Sequence, residues 1–153
     1  MLTFFSQYCQ ILEESYNLLA RAIEGLPQEA LDWVPGQDMN SLCVLIVHTA
    51  GAERFWVGDV ALGEPSGRDR AAEFTAKGWS EAALKKRLDD TLTYTRQALS
   101  RLTLADLEKP CTHPRTGEQI TAGWALMHAL EHTSLHLGHA QITRQLWDSQ
   151  HTS

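Results

Sequence analysis

Positive charge is scarce in this chain, and so are long apolar runs. Lys and Arg number 13 against 19 Asp and Glu, a formal charge of −6. A general nucleic-acid binder presents a basic face to phosphates, so this balance argues against nucleic acid as a partner. The one short basic run, Lys85-Lys86-Arg87, reads as a solvated helix face. The longest apolar run is LCVLIV at 42–47, far short of the ~20 residues a membrane span requires. MLTFFSQYCQILEE, at the start, has neither a basic segment nor a continuous apolar stretch of the targeting kind. No membrane partner is expected. Cysteine is sparse too: Cys9, Cys43 and Cys111 are odd in number and lack a C-x-x-C pairing, which reads as reduced thiols in a cytoplasmic protein. Sustained strand alternation, internal repeats and low-complexity tracts are all missing.

What remains is a chain of 153 residues, 43% hydrophobic and 21% charged, enough for one globular domain with a real core. Four segments carry apolar residues at helical spacing. The first runs from about Phe4 to Ile23 and is stopped by Gly25 and Pro27. A linker follows, LPQEALDWVPGQDMN. The second helix takes Ser41 as N-cap and continues to about Leu62, before Gly63 and Pro65. The third, capped by Ser80, reaches about Leu102. Thr103 to Asp106 has the form of a capping box opening a short turn, cut off by Pro110. CTHPRTGEQ predicts an irregular loop or small hairpin. The last helix spans about Thr121 to Trp147. This is an all-α pattern, a four-helix bundle. The connections before the second and fourth helices are long enough for crossovers.

The last helix contains MHALEHTSLHLGHAQ, with four of the chain's seven histidines. At ~100° per residue, His128, His132, His136 and His139 fall within one ~80° arc. The i, i+4 spacing lets two imidazoles reach one metal ion. Unpaired imidazoles in a core would be costly, which favours a metal or polar partners. His48, amid the apolar residues of the second helix, is the natural third candidate. HALEH, residues 128–132, formally matches the inverted zinc-protease motif with Glu131 as base, but only Asp148 follows as an acidic ligand. Paired Glu-x-x-His helices, as in di-iron bundles, are missing. A mononuclear, histidine-dominated site passes both tests. Cys43, about 140° around the helix from His48, reads as core. Glu53 and Arg54 read as surface charges or interhelical ion pairs.

Three fragments, NSLCVLIVHTAGAERFWVGDVALGEP at 40–65, RDRAAEF at 68–74 and TAGWALMHALEHTSLHLGHAQITRQLW at 121–147, carry a likeness. In their order and spacing the chain resembles the DinB-like superfamily of metal-binding four-helix bundles, which includes bacillithiol and mycothiol transferase relatives. The resemblance implies an up-down-down-up helix order and frequent homodimers. It implies His48, His132 and His136 as metal ligands, with His128 and His139 as neighbours that line or orient the site; the residues themselves leave His128 or His139 open as a fourth ligand. One divalent ion is implied, zinc or nickel first and iron also suited, together with a low-molecular-weight thiol and a small-molecule substrate. Thiol transfer is the expected activity; hydrolysis or a non-catalytic stress-response role are the alternatives. Arg144 could hold the carboxylate of a thiol cofactor, and Trp124 and Trp56 could wall a pocket.

Overall fold

The computed structural model describes residues 1–151. The long helices are α1 (Thr3–Ile23), α3 (Leu42–Arg54), α5 (Glu81–Leu99) and α6 (Ala122–His151). Two single turns, α2 (Gln28–Leu31) and α4 (Arg70–Glu73), lie in the connections. Phe5, Leu12, Leu19 and Ile23 place one face of α1 wholly in the core. Each such side chain contributes about 1.5–3 kcal/mol of burial free energy. Residues 42–53 of α3 are buried on every side, as befits a helix that is apolar all round.

The helix starts follow their caps. Ser41 Oγ accepts from Val44 N and Ser80 Oγ from Ala83 N, both at 3.2 Å. Thr103 and Asp106 form the capping box of a 3-10 turn, Leu104–Glu108. CTHPRTGEQ folds as a hairpin, β1 (Pro110–Thr112) against antiparallel β2 (Gln119–Thr121). The differences from the expected boundaries have local causes. α5 ends three residues early, in tight turns where Arg101 N bonds Ala98 O and Leu102 N bonds Leu99 O. α6 runs four residues past Trp147, because His151 Nδ1 donates to Trp147 O at 2.9 Å and its ring stacks on that indole at 3.6 Å. The second helix stays helical to Leu62, but from Phe55 it widens to π-helical winding and ends at Gly63, whose φ of 69° is left-handed.

Side-chain pairs give the direction of each helix. Arg96 meets Glu13 at one end of the α1–α5 pair and Glu81 meets Gly25 at the other, so these helices are antiparallel. Glu53 with Thr95 and Glu64 with Arg101 make α3 and α5 parallel. His48 with His132 and Trp56 with His128 make α3 and α6 antiparallel. Arg144 reaches Ala22 O, near the end of α1, so α1 and α6 run together. The order is up-down-down-up. Two parallel neighbours need a connection that returns along the bundle, and residues 63–80 supply it. That crossover carries α4 past the middle of α3.

Candidate metal centre

His48 sits mid-helix in α3 and is buried; His132 and His136, one turn apart on α6, are half-buried. The antiparallel crossing of α3 and α6 aims their Nε2 atoms at one point. His132 Nε2 lies 3.2 Å from His48 Nε2 and 3.2 Å from His136 Nε2. The three possible ligand atoms all lie within 4.8 Å of one another. Two nitrogens bound at ~2.0–2.1 Å with a tetrahedral angle between them stand about 3.3 Å apart. The spacing therefore fits a metal ion.

The proton count points the same way. His48 Nδ1 donates to Glu73 Oε2 at 2.9 Å, and in the neutral tautomer this bond selects, Nε2 is the lone pair that faces the cluster. His136 Nδ1 lies 3.3 Å from His139 Nδ1, so its second nitrogen is also engaged away from the centre. A single proton on His132 Nε2 can serve one neighbour, and the other lone pair is left facing a nitrogen. A cation satisfies all three. Burial, reinforced by the neighbouring His136 and His48, drives the His132 pKa down to about 3. Burial, with His48 and His139 nearby, lowers that of His136 to about 4. Both rings are neutral at pH 7, the form a metal requires.

Glu73 is the residue that sequence reasoning missed. It lies on α4, buried, and Arg68 grips its carboxylate with Nε and Nη2, each at 2.6 Å. Burial alone would raise its pKa, but the hydrogen bonds from Arg68 and His48 outweigh this and hold it below the ordinary range. The result is a guanidinium–carboxylate–imidazole chain, an arrangement that fixes the tautomer and orientation of a ligating histidine. The only advance signal is the fragment RDRAAEF at 68–74, which carries part of the family likeness without singling out Glu73.

The other expected residues fall in different places. His128 and His139 put no nitrogen into the three-histidine group. His128 instead stacks on Trp124, with ring centroids 5.0 Å apart, and meets the edge of Trp56 at 4.5 Å. Trp56 is buried and Trp124 is 41% exposed, so together they form an aromatic wall one turn from His132. The hairpin adds His113, whose ring lies 5.5 Å from each tryptophan. Arg144 does not join the site. It pairs with Asp148 at 2.9 Å and donates to the carbonyls of Ala22 and Glu24, tying α6 to the end of α1. Glu53 is no surface charge: it is fully buried and accepts from Tyr8 and Thr95. Arg54 pairs with Asp59 and lies over the Tyr94 ring. Cys43 is buried in the core.

Several solved structures resemble this chain in fold. A conserved protein from Enterococcus faecalis superposes with a TM-score of 0.77 at 14% identity, over 95% of this chain and 98% of its own. YfiT from Bacillus subtilis, described as "a probable metal-dependent hydrolase with an unusual four-helix bundle topology", gives 0.74 at 20% identity, over 95% and 89%. A mycothiol-dependent maleylpyruvate isomerase gives 0.65 at 14% identity, over 90% of this chain and 62% of its own. At these identities the structures share the fold. No curated protein sequence matches significantly. The family model of the DinB superfamily matches residues 11–140. By that match the chain belongs to the DinB superfamily.

Proposed function

We propose that this protein is a metal-dependent enzyme that transfers a low-molecular-weight thiol to an electrophilic small molecule. The observation that carries the reading is the convergence of the Nε2 atoms of His48, His132 and His136 at ligand spacing. Three neutral imidazoles leave the full charge of a divalent ion, zinc or nickel foremost, and such an ion favours the deprotonated form of a thiol or of water. The chain's own residues do the rest. Glu73 keeps the proton on His48 Nδ1, and Arg68 keeps Glu73 in place. His139 meets the outer nitrogen of His136. The half-buried faces of His132 and His136 leave an approach from outside, and Trp124 offers an exposed aromatic face beside it. A fourth protein ligand would close the site, and neither His128 nor His139 takes that place. This favours turnover over a purely structural role.

Hydrolysis is the second reading, supported by the description of YfiT. A homodimer is also proposed. Phe4, Ile11 and Leu18, seven residues apart on α1, are all exposed and form an apolar seam on which two copies would pair.

The test is elemental analysis of untagged protein purified without added metal or chelator, beside His48→Ala. Roughly one ion per chain, lost in the variant, is expected. Transfer of cysteine-derived thiols to a panel of electrophiles then separates the transferase from the hydrolase. Wild-type protein that takes up neither zinc nor nickel after reconstitution would overturn the proposal.

A further inference from the structure

A cleft of about 720 Å³ opens between α3, the crossover and α5. That volume lies in the range of small-molecule sites. Arg68 and Glu73 line it, but none of the three histidines does, so the cleft adjoins the metal centre without containing its ligands.

Three guanidinium groups line this cleft, and they differ in what they meet. Arg54 is held by Asp59 at 3.2 Å and by the carbonyl of Glu64, with its Cζ 3.8 Å from the centre of the Tyr94 ring. Arg68 gives Nε and Nη2 to Glu73, while its Nη1 has no partner among the described residues. Arg87 has neither a hydrogen bond nor an ion pair from its side chain among the described residues, and its Nε is shut off from solvent as well. A guanidinium cannot shed its charge, and a donor sealed from water without an acceptor is costly. Both carboxylates that line the cleft are already engaged. Asp69 caps α4 by accepting from Ala72 N at 3.0 Å, and Glu73 is held by His48 and Arg68. The remaining wall is largely apolar, with Val47, Ala72, Ala76 and Trp79.

An unmatched guanidinium at an apolar-walled cleft calls for an oxyanion on an apolar body. We propose that this cleft binds a small organic anion, a carboxylate or phosphate monoester, and that Arg87 holds its charged end. The remaining nitrogen of Arg68 is the second donor available to it. Lys85 and Lys86, the neighbours of Arg87 in sequence, pair with Glu81 and Asp90 and do not line the cleft, so Arg87 alone of that basic run serves it.

The test is calorimetric titration of protein of known metal content with benzoate and with phenyl phosphate. Saturable binding of at least one probe is expected in the wild type and in Arg115→Gln, an exposed hairpin arginine outside the cleft. Arg87→Gln should weaken it about tenfold or more, as for loss of one charge-assisted hydrogen-bonding partner. Ala72→Trp, which fills the cleft from an exposed position and leaves Arg87 in place, should weaken it as well, and it carries the test should Arg87→Gln fail to fold. Binding that is equally tight in Arg87→Gln, or unchanged in Ala72→Trp, overturns the proposal. So does the lack of saturable binding of either probe to the wild type. His132→Ala should keep probe binding while losing metal, so the two sites can fail separately.

Discussion

His48 donates from Nδ1 to Glu73 Oε2 across 2.9 Å, joining the middle of α3 to a single turn that lies in the crossover. This bond presents Nε2, and not Nδ1, to the histidines of α6. Glu73→Gln keeps the shape of the side chain while removing its charge and its ion pair with Arg68. Metal affinity, measured by chelator competition, should fall about 10–100-fold, the usual effect of losing such a partner. An unchanged affinity would detach Glu73 from the centre.

Gly51 faces the same carboxylate. Glycine to alanine inside a helix ordinarily gains about 1 kcal/mol. Here a Cβ would overlap Oε1 of Glu73 and come within 2.8 Å of its Cδ. The carboxylate cannot swing aside without leaving Arg68 and His48. Gly51→Ala should therefore reduce metal affinity as Glu73→Gln does, with no gain in thermal stability. A raised Tm together with full metal affinity would contradict this.

Glu53 makes stability depend on pH. Burial raises its pKa from 4.5 to about 7, against the lowering effect of the hydrogen bonds from Tyr8 and Thr95. Below pH 4.5 the folded and unfolded states both carry the proton, and the group imposes no electrostatic cost. Between there and pH 7 only the unfolded chain ionises, so stability is lost as pH rises. The loss reaches about 3 kcal/mol. Denaturant unfolding of Glu53→Gln should show this part of the pH dependence removed, the variant gaining on the wild type from pH 5 to pH 8. Parallel curves would mean that Glu53 ionises normally.

Ile11 is 48% exposed at the centre of the α1 seam. Ile11→Lys should convert a dimer into a monomer by light scattering without lowering the helical signal. A wild-type protein that is monomeric at high concentration would remove the seam from consideration.

The helices were legible because their punctuation is local. Ser41, Ser80, Gly25 and Gly63 act within a turn of where they stand. The histidine stripe was legible for the same reason, since spacing on one helix needs no knowledge of its neighbours. The π-helical winding after Arg54 was not, because FWVGDVAL reads equally well as ordinary helix. It coincides with Gly58, where a Cβ would collide with the Arg54 guanidinium and meet Tyr94 Oη at 2.6 Å. Glu73 and Arg68 were hidden because their burial is made by α3, some twenty residues earlier in the chain. Glu53 had a readable clue in the apolar residues on all sides of α3. Its charge argues for the surface or an ion pair, but the all-round burial of the helix is the stronger signal.

The spacing of the ligands along the chain has a further consequence. His48 and His132 are 84 residues apart. An ion that grips both is a reversible cross-link closing a loop of more than half the polypeptide, and closing so long a loop in advance withdraws much of the freedom of the unfolded chain. Because it binds only the folded arrangement, its free concentration enters the folding equilibrium directly. Scarcity of such an ion would then lower the stability of the folded chain itself.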